Sequence, residues 1–164
     1  MNKVVGTGLA AIYFFNEGCE YEEAYHYYND DDYQRDEAAK IFKTLYAIVG
    51  IADFLFSTGF FVSSTYAFIT KKPMPMLSES FLGKTALILV GVRISIIVTG
   101  HSFHTPGNKK LTYTLISNYI AAIRNTTLSL VEFNPSRLPL PLFLSITYVG
   151  ELASRILFKI ENSS

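Results

Sequence analysis

Residues 44–133 hold ten charged side chains, three acids and seven bases, in ninety positions. Few features constrain a fold more tightly. A helix at the surface of a soluble bundle needs a polar, charged face toward water. Ten charges are too few to wet three helices on their outer sides.

The scarcity is organised. Three proline-bearing segments, "KKPMP" (71–75), "TPGNKK" (105–110) and "NPSRLPLP" (134–141), divide the chain, and each is expected to interrupt a helix. Between them lie apolar helices at about 44–70, 81–103, 111–133 and 140–159, close to the ~20 residues that span a bilayer core. The first has a single charge, Asp53; residues 85–100 have only Arg93, and residues 111–131 only Arg124. The fourth is uncharged from 138 to 150 and then carries Glu151 and Arg155. The expected fold is all-α: a four-helix transmembrane bundle (residues 40–164) behind a short acidic helical head (1–39). A soluble helical bundle is the alternative.

Spans starting at Tyr46, Lys84, Leu111 and Leu138 would put Asp53 and Glu151 at one depth, about 10 Å from the side of the head. Arg93 and Arg124 would lie about 16 and 19 Å from the same side. Each lone charge at the centre of a span costs about 2.5–3.5 kcal/mol. Asp53, Arg93, Arg124 and Glu151 are therefore expected to form an intramembrane cluster. Side chains lean toward the N-terminus of their helix, which favours Arg124 with Glu151 first and Arg93 with Asp53 second.

Small residues recur at helical spacing. Gly91, Ser95 and Thr99 form a small-xxx-small ridge, and Gly50, Ser57 and Ser64 recur every seventh position. Both stripes are expected to let neighbouring helices approach closely.

The net charge of zero conceals an asymmetry. Residues 1–39 carry nine acids and two bases, a balance of −7, and the remainder balances it at +7. In "EYEEAYHYYNDDDY", Tyr21, Tyr25 and Tyr28 repeat at helical spacing and are expected to form one aromatic face over about 20–28. Asp30, Asp31 and Asp32 then break the helix and supply caps for the next. Together these six residues form a candidate surface for a protein partner. Adjacent aspartates do not match the alternating ligands of a calcium loop, so no metal is expected there. His101 and His104 lie one turn apart with no cysteine beside them, which suits a loop-flanking pair better than a metal site.

Catalytic signatures are absent from the sequence: no nucleophile elbow, no phosphate-binding glycine loop and no paired acid and base. No basic run with interleaved aromatics appears, which argues against nucleic acid. The lone Cys19 cannot form an internal disulfide. The apolar run at 4–15 has the length of a signal core but no small-x-small cleavage site after it, so a retained helix is expected. A lipid bilayer is the expected environment. Lysines and arginines favour, six to four, a cytoplasmic side for the head and, with it, the N-terminus. The expected role is non-catalytic and cofactor-free, that of a structural subunit, assembly factor or adaptor. A small transporter or channel component built on the charge cluster is the alternative, and a soluble interaction module a further one.

Overall fold

The computed structural model describes residues 3–72, 79–131 and 140–164. The fold is all-helical. Five α-helices and no strands occur among the described residues: α1 (Lys3–Asn29), α2 (Glu37–Thr70), α3 (Glu79–Phe103), α4 (Lys109–Val131) and α5 (Leu140–Ser163), with a 3-10 turn at Asp31–Gln34. The proline breaks at 71–75 and 134–141, and the last two residues of the helix expected at 111–133, lie largely or wholly outside the described residues.

The first helix departs from expectation. In place of a short helix at 20–28, one 27-residue helix runs through the apolar N-terminal run and the acidic segment alike. Side-chain hydrogen bonds explain where it stops. Asp30 accepts from the amide of Asp32 at 3.0 Å, and Asp36 accepts from Ala38 at 2.7 Å to cap α2. The short link forces α1 and α2 to run antiparallel. Thr7 Oγ1 reaches the carbonyl of Ser64, Gly18 meets Phe54, and Gly50 meets Ala24 and Tyr21. A Cβ at Gly50 would come within 2.9 Å of the Ala24 methyl, so only glycine permits this approach.

The remaining helices alternate in direction, α5 running parallel to α1. Asn108 caps α4 by accepting from the Leu111 amide at 3.0 Å. Each helix packs on the next, and α5 returns to pack on α1, closing a ring of five. Lys3 therefore lies at the end of the ring opposite the acidic loop. The expectation of a head and N-terminus on one side does not survive this geometry.

The interior has two layers. Near the acidic loop, Tyr27, Phe42, Tyr46, Val49, Ile96, Leu111, Leu115 and Phe158 form an apolar core. Tyr27 sits edge-on to Phe42 at 5.3 Å and to Tyr33 at 4.8 Å between ring centroids. Gly100 fits beneath it, because a Cβ there would meet Leu115 at 2.8 Å and Phe42 at 3.2 Å. Further along the ring axis the interior is filled with charge.

The outer surface inverts the usual arrangement. Ile48, Ile51, Leu55, Val62, Leu87, Ile94, Val98, Ile123, Ile146 and Val149 are each at least half exposed. Every exposed acid, lysine or arginine among the described residues falls toward one end of the ring or the other. Glu22, Asp31, Asp32, Arg35, Asp36, Glu37, Lys40, Lys109 and Lys159 lie toward the acidic loop; Lys71, Lys72 and Lys84 lie at the opposite end. Helix α2 and the Lys84–Phe103 part of α3 are long and apolar enough to cross a membrane.

Candidate functional site

Eight ionisable side chains meet inside the ring: Glu17, Glu20 and Glu23 from α1, Asp53 from α2, Arg93 from α3, Arg124 from α4, and Glu151 and Arg155 from α5. None is more than 4 % exposed. The ring supplies the geometry, since every helix contributes at least one of them.

Arg93 is the hub. Its Nη1 donates to Glu20 Oε1 and, at 2.8 Å, to Asn118 Oδ1; its Nη2 donates to Glu20 Oε2 at 2.8 Å and to Asp53 Oδ2 at 2.7 Å. Arg155 joins four further groups. Its Nη2 lies 2.5 Å from Glu151 Oε1 and 3.2 Å from Glu20 Oε2, while its Nη1 donates to Tyr46 Oη at 3.1 Å and Glu23 Oε2 at 3.3 Å. Arg124 pairs with Glu151 Oε2 and lies over the Tyr148 ring, 4.3 Å from its centroid. Beyond Glu23, Thr114 carries the network on, its hydroxyl 2.9 Å from Tyr27 Oη. From Glu20 to Tyr27 the hydrogen-bonded polar groups extend about 10 Å along α1 at 1.5 Å per residue.

The four charges singled out from the sequence all lie in this cluster. Arg124 contacts Glu151, and Arg93 contacts Asp53. Sequence reasoning left Glu17, Glu20 and Glu23 in the acidic head and did not bring Arg155 into the cluster. The overlooked signal is spacing. Ala10, Glu17, Glu20, Ala24 and Tyr27 share one helical face, and all of them are buried. Tyr21, Tyr25 and Tyr28 are correspondingly turned outward, at 43–64 % exposure, so they do not form the inner aromatic contact of α1.

The two small-residue stripes have different fates. Gly50, Ser57 and Ser64 are buried along α2. Gly91 and Ser95 are exposed and Thr99 half-buried, with nothing within 4 Å of a Cβ at Gly91. Among the described residues the stripe on α3 therefore meets no neighbour at Gly91, and the reason is Arg93. Residues two positions from an inward arginine are rotated by about 200°, which turns Gly91 and Ser95 outward. Their exposed neighbours need no outside partner: Ser95 donates to the Gly91 carbonyl at 3.0 Å and Thr99 to that of Ser95 at 2.7 Å.

At the loop end Asp30, Asp32 and Asp36 line an open cleft of about 610 Å³ with Tyr33, Asn108, Lys109, Lys110 and Glu161. Asp31 is exposed beside them. His26 lies 3.8 Å from Asp30. Burial holds its imidazole below the ordinary value, although Asp30 pulls the other way and Lys110 adds to the depression. His101 and His104 do not converge on a common ligand; they contact Tyr119 Oη and Thr112 Oγ1, each at 2.9 Å.

Compared with known protein families, curated proteins and solved structures, the chain matches none.

Proposed function

We propose that this chain is an integral membrane protein whose five helices all cross the bilayer, the loop-end turns of α1 from Glu22 onward lying outside it, and that its role is non-catalytic. It would serve as a structural subunit or adaptor that presents the acidic loop and its cleft to a partner. One observation carries the reading: exposed charge is confined to the two ends, and the surface between is aliphatic. Between Lys84 and His101 the apolar face of α3 measures about 26 Å, and between Val4 and Glu22 that of α1 about 27 Å. Both approach the ~30 Å of a bilayer core. The buried charges of α1, α4 and α5 lower their mean hydropathy without touching lipid, so composition alone undercounts the helices suited to a membrane. Outward hydroxyls on α3 and α4 bond their own helix carbonyls, as a lipid-facing surface requires.

Membrane extraction tests the reading. The chain is expected to resist alkaline carbonate and to dissolve in mild detergent; recovery in the carbonate supernatant would refute it. For the partner half, photo-crosslinking from position 31 should give a discrete adduct that weakens when Asp30 and Asp32 become asparagine.

A small transporter component is the second reading, supported by the polar network along the ring axis. It requires pH-dependent flux in liposomes, which a scaffold would lack.

A further inference from the structure

The interior cluster is not charge-balanced. Five carboxyls, Glu17, Glu20, Glu23, Asp53 and Glu151, share the space with three guanidiniums, Arg93, Arg124 and Arg155. With all eight ionised the cluster carries −2, and among the described residues no ion pair joins it to an acid or base outside it.

Glu17 is the least compensated of the five carboxyls. Glu20, Glu23, Asp53 and Glu151 each have a guanidinium nitrogen within 3.3 Å. The nearest guanidinium nitrogen to Glu17 is Arg124 Nη2 at 3.8 Å, beyond hydrogen-bond reach. Glu17 Oε1 accepts from Asn16 Nδ2 at 3.1 Å, while Oε2 is fully buried and has no partner. Asn16 Oδ1, on an equally buried side chain, is also unpartnered. One oxygen each from Glu17, Glu20 and Asp53 lies within 4.8 Å of the other two. A carboxylate in that position would face two others with no donor on Oε2. Such a charge is expelled or neutralised.

A metal ion is a poor neutraliser here. It would have to sit against Arg93, whose guanidinium already bonds both oxygens of Glu20 and Oδ2 of Asp53. A proton needs no room and supplies the missing donor.

We propose that the cluster is a proton-binding site, with one exchangeable proton held on Glu17 at neutral pH. The proton comes from bulk water, forms an O–H bond at Glu17, and lowers the cluster charge from −2 to −1. The groups that face it are Tyr13 and Glu20 on α1, Asp53 on α2, Arg93 on α3, Arg124 on α4, and Tyr148 and Glu151 on α5. Glu17 is thus a neutral acid among charged neighbours, the one carboxyl of the cluster that can change charge without losing a hydrogen bond to a guanidinium.

The test is infrared spectroscopy of the purified full chain in detergent at neutral pH, with 13C-glutamate to separate glutamyl from aspartyl carboxyls. The wild-type protein should show the C=O stretch of a buried protonated glutamic acid, downshifted by the label. Glu17→Gln should remove that band and leave the thermal midpoint within a few degrees of wild type, because an amide resembles a neutral acid. Glu20→Gln, which strips Arg93 of its bidentate partner, should lower the midpoint far more. A missing wild-type band would overturn the proposal, as would a band that survives in folded Glu17→Gln. So would a band that appears only after a chelator is added, which would put a metal in the proton's place. The inference rests on the buried cluster and not on the bilayer: a chain extracted by carbonate would end the membrane reading while the infrared band still decided this one.

Discussion

The aromatic layer around Tyr27 and the ionic layer around Arg93 lie next to each other in the same ring, and they are stabilised by different physics. In the aromatic layer each ring adds contact area with its neighbours, and a trimmed side chain forfeits only its own share. In the ionic layer every member but Glu17 depends on a partner at hydrogen-bond distance. Removing one partner strands a charge that was already desolvated, which typically costs about 3–5 kcal/mol although the intact pair contributes little net stability. The ionic layer therefore fixes which five helices meet and in what register, and the aromatic layer supplies the graded packing that holds the loop end shut.

The contrast is sharpest at Arg93. Arg93→Leu leaves Glu20 and Asp53 without their shared guanidinium, and the expected loss is at the top of the ~3–5 kcal/mol range. It should appear as failure to accumulate or as the largest drop in thermal midpoint in detergent. Arg124→Leu comes next at about 3 kcal/mol. Adding Glu151→Leu should recover part of that loss and no more, because Arg155 also uses Glu151. A double variant no better than the single would mean that the two residues do not act as a pair.

In the aromatic layer the effects should be smaller. Gly100→Ala forces a methyl against Leu115 and Phe42 and should cost about 1–3 kcal/mol. Tyr27→Phe keeps the ring and removes only the hydroxyl beside Thr114, for a loss of about 0.5–1.5 kcal/mol in chemical denaturation. Both positions touch Phe42, so the double variant should depart from the sum of the two by about 0.5 kcal/mol or more.

The smallest effect belongs to His26 at the loop end. Its folded-state value is depressed, so the unfolded chain binds its proton more tightly. Its contribution is complete above the ordinary value of 6.5 and is lost as pH falls through the folded value. His26→Gln should flatten the acid side of the stability profile slightly and leave the neutral side unchanged.

The apolar helices were legible because lipid-compatible stretches advertise themselves by lacking charge, and Asp53, Arg93, Arg124 and Glu151 stood out against that background. Residues 17–23 were illegible for the converse reason. Glutamates within an acidic run resemble a solvated face, and only their register with Ala10, Ala24 and Tyr27 reveals that they turn inward. The stripe on α3 misled because small residues at four-residue spacing do not say which way they point; the inward demand of Arg93 decided that. Gly100 gave no signal at all, since its close contacts depend on Phe42, far away in sequence.

The most direct test of the membrane placement asks what touches the outside of the ring. With Cys19 replaced by serine, single cysteines at Leu55, Ile94, Ile123 and Ile146 put probes on four helices at the middle of the aliphatic surface. In native membranes they should resist a charged, water-borne maleimide, and a fluorophore on them should be quenched by brominated lipid, while a cysteine at Asp31 should show the reverse. Ready labelling of the four mid-surface positions from water would contradict the proposed placement.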